Sequence, residues 1–117
     1  MSLLEAYNIN KARAEKKACC DFVFHAAIYS YDDKIAKEME VLAKEKGVNS
    51  FKVFMAYKDL MINDEDMIKV FKKCKELGAI PLVHAENGEL VIECSNKIKS
   101  LGEYKLQNNN VEKILLY

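Results

Sequence analysis

Segments typical of helices alternate with segments typical of strands, and this alternation constrains the fold of the chain most strongly. The helical segments run for about 12 residues with apolar side chains at helical spacing, whereas the segments between them are short, nearly continuous apolar runs. Gly47, Gly78 and Gly102 stand where three of the helices should end. The order αβαβαβα predicts parallel strands joined by right-handed crossovers, which is an α/β fold.

Polar residues mark the starts of several predicted helices. Ser2 suits the N-cap of the first helix, and Asp32 and Asn63 open two later ones. The apolar run from Ala18 to Ile28 is typical of a strand that is buried on both faces. In chain order, the predicted elements are helix 2–17, strand 18–28, helix 32–46, strand 48–55, helix 63–77, strand 79–83 and helix 89–101. The helical residues expected to face inward include Met39, Leu42, Met67, Ile68, Phe71, Leu90, Val91, Cys94 and Ile98.

The chain divides into one predicted domain, residues 1–102, and a divergent Asn-rich tail, residues 103–117. With 117 residues in total, the chain is too short for a whole (β/α)₈ barrel, which needs about 250 residues. The tail contains three consecutive asparagines and ends in a short apolar stretch. Asn110 suits an N-cap, so we favour a short terminal helix over a frayed end.

The balance of charges limits the classes of partner. The formal net charge is +0 and the isoelectric point is near 6.7, which removes the electrostatic argument for nucleic acid or an anionic membrane surface. No run approaches the roughly 20 apolar residues of a membrane span. The sequence therefore predicts a cytoplasmic protein whose partners are small molecules or other proteins.

Four cysteines are present, at Cys19, Cys20, Cys74 and Cys94. Adjacent cysteines are a poor disulfide pair because their local geometry resists the bridge. No Cys-x-x-Cys spacing occurs, so a zinc ribbon or a thioredoxin-like redox motif has little support. We expect all four to be small, buried, reduced thiols.

Two side chains near the carboxyl ends of predicted strands are candidates for chemistry, since active sites of parallel α/β proteins lie at these ends. Lys52 lies in an otherwise apolar strand, where a desolvated amine loses its proton more readily and can react with carbon dioxide to form an anionic carbamate ligand. Alternatively, its ammonium group extends to the sheet edge. His84 suits a zinc ligand, or else a half-buried structural histidine.

Two longer motifs make a family resemblance specific. The segments NSFKVFMAYKDL and ELGAI-LVHAENG, with ACCDF-FH and KEKGVNSFK upstream, closely resemble dihydropyrimidinases and hydantoinases, which are cyclic amidohydrolases. The likeness covers residues 2–102. It implies that the chain is an internal fragment holding about three parallel βα units, strands three to five, of a partial TIM (β/α)₈ barrel, preceded by a helix.

The resemblance also implies site residues and a cofactor. Lys52 matches the carboxylated lysine that bridges two zinc ions, and His84 matches a histidine ligand of the metal. Tyr57 matches the tyrosine that hydrogen-bonds the oxyanion, although it also suits an ordinary loop position. The implied reaction opens a small cyclic amide, such as a dihydropyrimidine or hydantoin ring, by attack of a zinc-bound hydroxide. The family assembles as tetramers, so a homo-oligomer is expected.

The remaining family ligands have no counterpart in this sequence. The family site uses a His-x-His pair, a further histidine and an aspartate, whereas this chain has only two histidines, His25 and His84. His25 matches a position that is not a ligand, and no catalytic base is assigned, so the isolated chain is expected to be inactive. The alternative is a non-catalytic interaction module related to the collapsin response mediator proteins. Lys52 argues against that branch, whose members typically carry an apolar residue there.

Overall fold

The computed structural model describes residues 1–100, which form three parallel βα units preceded by a helix, as predicted. The three strands form one sheet in the order β1-β2-β3, with every neighbouring pair parallel. In chain order the elements are α1 Leu3–Glu15, β1 Ala26–Ala27, α2 Asp33–Glu45, β2 Ser50–Phe54, α3 Asp64–Leu77, β3 Ile80–His84 and α4 Gly88–Ser100.

Polar residues cap the starts of the first three helices, and a glycine ends the third. The side chains of Ser2, Asp32 and Asn63 accept hydrogen bonds from backbone N–H groups in the first turns of α1, α2 and α3. Such caps each stabilise a helix by about 1 kcal/mol. Gly78 ends α3 in the left-handed conformation, with φ of 65°, which glycine adopts without a steric penalty.

The core lies between one face of the sheet and helices α2 and α3. Phe51 and Val53 project from β2 onto this face and are fully buried. Because side chains alternate along a strand, the same face receives every second residue of each strand. The helical residues buried against it are Met39, Leu42, Val70 and Cys74.

The predicted strand 18–28 is wrong over most of its length. Only Ala26–Ala27 pairs with β2, and residues 18–25 lie outside the sheet, with Val23 75% exposed. A doubly buried strand needs a neighbour along each edge and a layer on each face, and within residues 1–100 β1 has β2 on one side only. The apolar composition of a segment does not reveal whether its covering layers lie within the same stretch of chain.

Two expected core residues are also corrected. Ile68 is 51% exposed and Leu90 is 49% exposed. In α3 the inward stripe runs through Val70 and Cys74, and Ile68 falls beyond its edge at 100° per residue. In α4 the buried residues include Cys94 and Ile98, which leaves Leu90 at the margin. The predicted tail helix and Leu101 lie outside the described residues.

The cysteines divide into two classes rather than the single buried class expected. Cys74 and Cys94 are buried, but Cys19 and Cys20 are exposed, because the segment that carries them is not part of the sheet. Burial raises the pKa of the Cys74 thiol to about 11.

Thiol labelling should separate the two classes. At pH 8 in the native protein, we expect a neutral alkylating agent to modify Cys19 and Cys20 rapidly and Cys74 only after denaturation. Burial keeps the reagent from the Cys74 thiol, and the raised pKa lowers its thiolate fraction at pH 8. Peptide mass spectrometry of native and urea-treated samples measures this, and equal native labelling of Cys20 and Cys74 would contradict it.

Within residues 1–100, no helix is both long enough and apolar enough to cross a membrane.

Candidate functional site

The sheet face opposite the core carries the two residues predicted from strand ends. Lys52 pairs with Leu82, and Phe54 pairs with His84, in the parallel register of β2 and β3. Side chains two residues apart on a strand share a face, so Lys52, Phe54 and His84 all project from this side. His84 is the last residue of β3, at the carboxyl edge where parallel sheets hold their sites.

The ring of Phe54 lies between the lysine and the histidine. The Lys52 Nζ atom is 5.3 Å from the centroid of the Phe54 ring, a cation–π distance. The centroids of the Phe54 and His84 rings are 5.8 Å apart. Apart from its alternation with the core residues of β2, no sequence pattern indicated a role for Phe54.

Tyr57 joins this group from the loop after β2. The centroid of its ring lies 5.2 Å from that of His84, and its side chain is 47% exposed. Lys52, Tyr57 and His84, the three predicted site residues, therefore lie around one aromatic cluster at the carboxyl edge of the sheet.

The backbone of Tyr57 is held in an unfavourable conformation. Its φ of 68° places it among left-handed residues, and no other described non-glycine residue has a positive φ. Such a conformation costs about 1–3 kcal/mol and persists only when its surroundings impose it. Here the Leu60 and Met61 N–H groups both donate to the Tyr57 carbonyl oxygen, at 2.7 and 2.9 Å. No sequence pattern predicts this strain, because the backbone hydrogen bonds from Leu60 and Met61 impose it.

Glu86 is a further residue that the sequence analysis missed. Its Oε1 atom lies 2.6 Å from Nε2 of His84, and the two side chains are 44% and 33% exposed respectively. The signal available was its place two residues after the histidine in the His-Ala-Glu-Asn turn. The imidazole is therefore flanked by an acceptor and by two aromatic rings.

Backbone hydrogen bonds tie the loop after β2 to the loop after β3. The Met55 N–H donates to the His84 carbonyl oxygen at 3.0 Å, and the Gly88 N–H donates to the Met55 carbonyl oxygen at 3.1 Å. Gly88 is buried, and a Cβ atom there would lie 2.8 Å from the Met55 oxygen and 3.0 Å from the Met61 sulfur. The absence of a side chain at Gly88 permits this close approach.

Substituting Gly88 with alanine should push the two loops apart. We expect a loss of about 1–3 kcal/mol in the free energy of unfolding, as for overpacked sites, measured by urea denaturation. We also expect the ring signals of Tyr57 and His84 to shift in NMR spectra. Gly78→Ala is the matched control, because open space surrounds that position and only its positive φ is strained. If both variants left the two rings unchanged, the spacer role of Gly88 would be refuted.

The second histidine lies away from this cluster. His25 precedes β1, and its Nδ1 atom is 2.5 Å from the hydroxyl oxygen of Ser50, the first residue of β2. Ser50 begins its strand, so this pair lies at the amino end of the sheet, opposite the edge that carries His84. The hydrogen bond gives His25 a structural partner, in line with the predicted role.

Comparison with known proteins identifies the family. No protein-family model matches the chain. Individual proteins do match: the chain is 52% identical over 102 residues to dihydropyrimidinase of Dictyostelium discoideum and 51% identical over 102 residues to that of Rattus norvegicus. A crystal structure of dihydropyrimidinase from Brevibacillus agri superposes with a TM-score of 0.84 at 37% identity, covering 87% of this chain and 22% of that one. The chain belongs to the dihydropyrimidinase and hydantoinase family.

Membership in the dihydropyrimidinase and hydantoinase family confirms the predicted resemblance and the partial TIM-barrel fold. D-hydantoinase from a Bacillus species gives a TM-score of 0.83 at 38% identity, over 86% of this chain and 22% of that chain. The two dihydropyrimidinase alignments cover 86% of this chain and 20% of each relative. The chain thus spans about a fifth of the length of the curated relatives it matches.

Overall identity does not separate the enzymes of the family from its other branch. Dihydropyrimidinase-related protein 5 of Mus musculus is 51% identical over 102 residues, almost the value found for the dihydropyrimidinases. A distinction between the branches therefore depends on individual residues.

The dihydropyrimidinase and hydantoinase family is generally metal-dependent, and the described residues fit part of a metal site. Among residues 1–100, no group of three or more His, Cys, Asp and Glu side chains is close enough to hold a metal ion. The His84 imidazole and a carboxylated Lys52 have the donor atoms that zinc binds. Two donors alone do not complete a zinc coordination shell, so further donors are needed.

Proposed function

We propose that the chain is part of a dihydropyrimidinase-type hydrolase that opens cyclic amides, and that Lys52, Tyr57 and His84 are the site residues it contributes. The observation that carries this proposal is the arrangement of these three side chains around one cluster at the carboxyl edge of the sheet. Residues 1–102 would form the segment around strands three to five of the barrel.

Each residue has a distinct role in this proposal. Lys52, as its carbamate, and His84 would hold zinc ions. When bound, zinc polarises a carbonyl and lowers the pKa of a coordinated water, which supplies the hydroxide for hydrolysis. The Tyr57 hydroxyl would donate a hydrogen bond to the ring carbonyl oxygen of a dihydropyrimidine or hydantoin as negative charge develops there. The strained backbone of Tyr57 supports this role, because strain concentrates at functional positions.

The isolated chain should not catalyse the reaction, because a catalytic base and further ligands would have to come from elsewhere. The direct test incubates the purified chain with zinc and bicarbonate at neutral pH and follows dihydrouracil hydrolysis. We expect no rate above the uncatalysed background. An enzyme-like rate would overturn the proposal that the chain supplies only part of the site.

A chimera tests the positive half of the proposal. The aligned segment of Dictyostelium dihydropyrimidinase would be replaced by this chain's matching residues. We expect the chimera to bind zinc and to open dihydrouracil, since the segment would supply Lys52, Tyr57 and His84 to a complete site. A folded chimera with zinc bound and no hydrolysis would show that this segment does not support catalysis.

A non-catalytic interaction module is the second candidate function. The 51% identity to dihydropyrimidinase-related protein 5 favours it, as do the edges of β1 and β3, which have no strand neighbour within residues 1–100. Open edges attract further strands, so this function predicts a homo-oligomer, as in the family's tetramers, or a complex with a homologue. Analytical ultracentrifugation distinguishes the candidates, because a monomer at all concentrations, alone and mixed with the homologue, contradicts the module.

A further inference from the structure

We infer that Glu86 is a positioning residue that keeps the proton of neutral His84 on Nε2 and so makes Nδ1 the atom available to a metal ion. The assignment of the proton depends only on the contacts of His84. The role of Nδ1 towards a metal rests on the function proposed above.

The hydrogen bond between the two side chains determines the tautomer. A carboxylate can only accept, so the 2.6 Å contact between Glu86 Oε1 and His84 Nε2 requires the proton on Nε2. A neutral imidazole carries one proton, and the other nitrogen then has a free lone pair. Nδ1 of His84 is therefore the nitrogen that can bind a cation.

The surroundings of both side chains restrict their orientations. The rings of Phe54 and Tyr57 lie 5.8 and 5.2 Å from the His84 ring, which limits rotation of the imidazole. The Asn87 side chain accepts from the Leu90 N–H at 3.1 Å, and this cap fixes the backbone that directly follows Glu86. The carboxylate also lies near the amino end of α4, where the helix dipole favours negative charge.

Carboxylates that orient a metal-binding histidine through its second nitrogen are a general device. They fix the tautomer and raise the basicity of the donor nitrogen, and their loss typically lowers metal affinity about 10–100-fold. Glu86 contacts His84 in this way. The contact determines which imidazole nitrogen is free to bind a ligand, a selection that neither Lys52 nor Tyr57 makes.

The tautomer can be read directly by NMR. The 117-residue chain, labelled with ¹⁵N-histidine and free of metal, contains only two imidazoles, and a His25→Gln variant assigns them. At pH 8 we expect His84 to show a protonated Nε2 and an unprotonated Nδ1. In Glu86→Ala the two nitrogen shifts should move towards each other as the tautomers mix. Glu86→Gln, whose amide can either accept or donate, should restore the wild-type shifts only in part, and Glu89→Ala is the matched control.

Zinc binding by the chimera, which supplies the remaining ligands, separates the two parts of the inference. We expect the chimera that carries Glu86→Ala to need about 10–100-fold more zinc than the parent chimera. A protonated Nδ1 in the wild type, or unchanged tautomers in a folded Glu86→Ala, would overturn the positioning role. A fixed tautomer in the chain together with an unchanged zinc affinity in the Glu86→Ala chimera would support that role and overturn the link between Glu86 and metal binding through Nδ1.

Discussion

Replacing Lys52 with alanine in the chimeric dihydropyrimidinase should lower kcat/KM for dihydrouracil about a thousandfold or more, which corresponds to about 4 kcal/mol of transition-state stabilisation. Lys52 projects from the same face as His84, and only its amine can form the anionic carbamate that would hold zinc. Alanine removes the group that would form that anion, so the chimera should hold less zinc. Steady-state assays and zinc content per protomer measure the two consequences together.

The control for this experiment is Lys72→Ala, which removes an exposed lysine of α3. Growth or incubation with ¹³C-bicarbonate gives a second readout, because a carbamate carbon signal should appear in the parent chimera and in Lys72→Ala but not in Lys52→Ala. If Lys52→Ala retained activity and zinc, Lys52 would be a lysine whose ammonium lies over Phe54 and nothing more. That outcome would refute the metal role proposed for Lys52.

Most of the fold could be predicted because its signals are local. The caps at Asp32 and Asn63 and the left-handed Gly78 act within a few residues of the chain, and α2 and α3 begin and end close to the predicted positions. Strand β3 could be predicted for the same reason, since the end of α3 and the turn after His84 bound it closely. Local sequence features also predicted that Lys52 and His84 lie near the carboxyl edge of the sheet.

The errors come from features that residue composition and apolar spacing do not record. Residues 18–25 have the composition of a buried strand, yet whether they pair depends on neighbours that the segment does not contain. The contact of Glu86 with His84 depends on side-chain rotamers, and the φ of Tyr57 depends on the loop that follows it. Neither leaves a periodic pattern in the sequence.

The two faces of the sheet are covered differently, and this difference links the fold to the proposed function. Helices cover the face of Phe51 and Val53, so that side is a closed core. The opposite face holds Lys52, Phe54 and His84 at intermediate exposure. Stability and site chemistry are therefore carried by alternating residues of one strand, and substitutions in β2 should separate the two properties.

Phe51→Ala should accordingly destabilise the 117-residue chain more than any substitution on the site face. The Phe51 ring is fully buried at the centre of the sheet, where its backbone pairs with both Ala26 and Pro81. Truncating a buried phenylalanine typically costs about 3–5 kcal/mol, a large part of the roughly 5–15 kcal/mol that stabilises a domain. Urea denaturation followed by circular dichroism measures the loss.

Phe22→Ala is the matched control, because that ring is 40% exposed and its removal should cost less than about 1 kcal/mol. In the chimera, Phe51→Ala should lower the unfolding midpoint while the zinc content of the protein that remains folded is unchanged. Lys52→Ala should lower the zinc content while the unfolding midpoint of the metal-free chimera is unchanged. Equal destabilisation by Phe51→Ala and Phe22→Ala would mean that the helix-covered face is not the core of the folded chain, and the separation of stability from site chemistry along β2 would be lost.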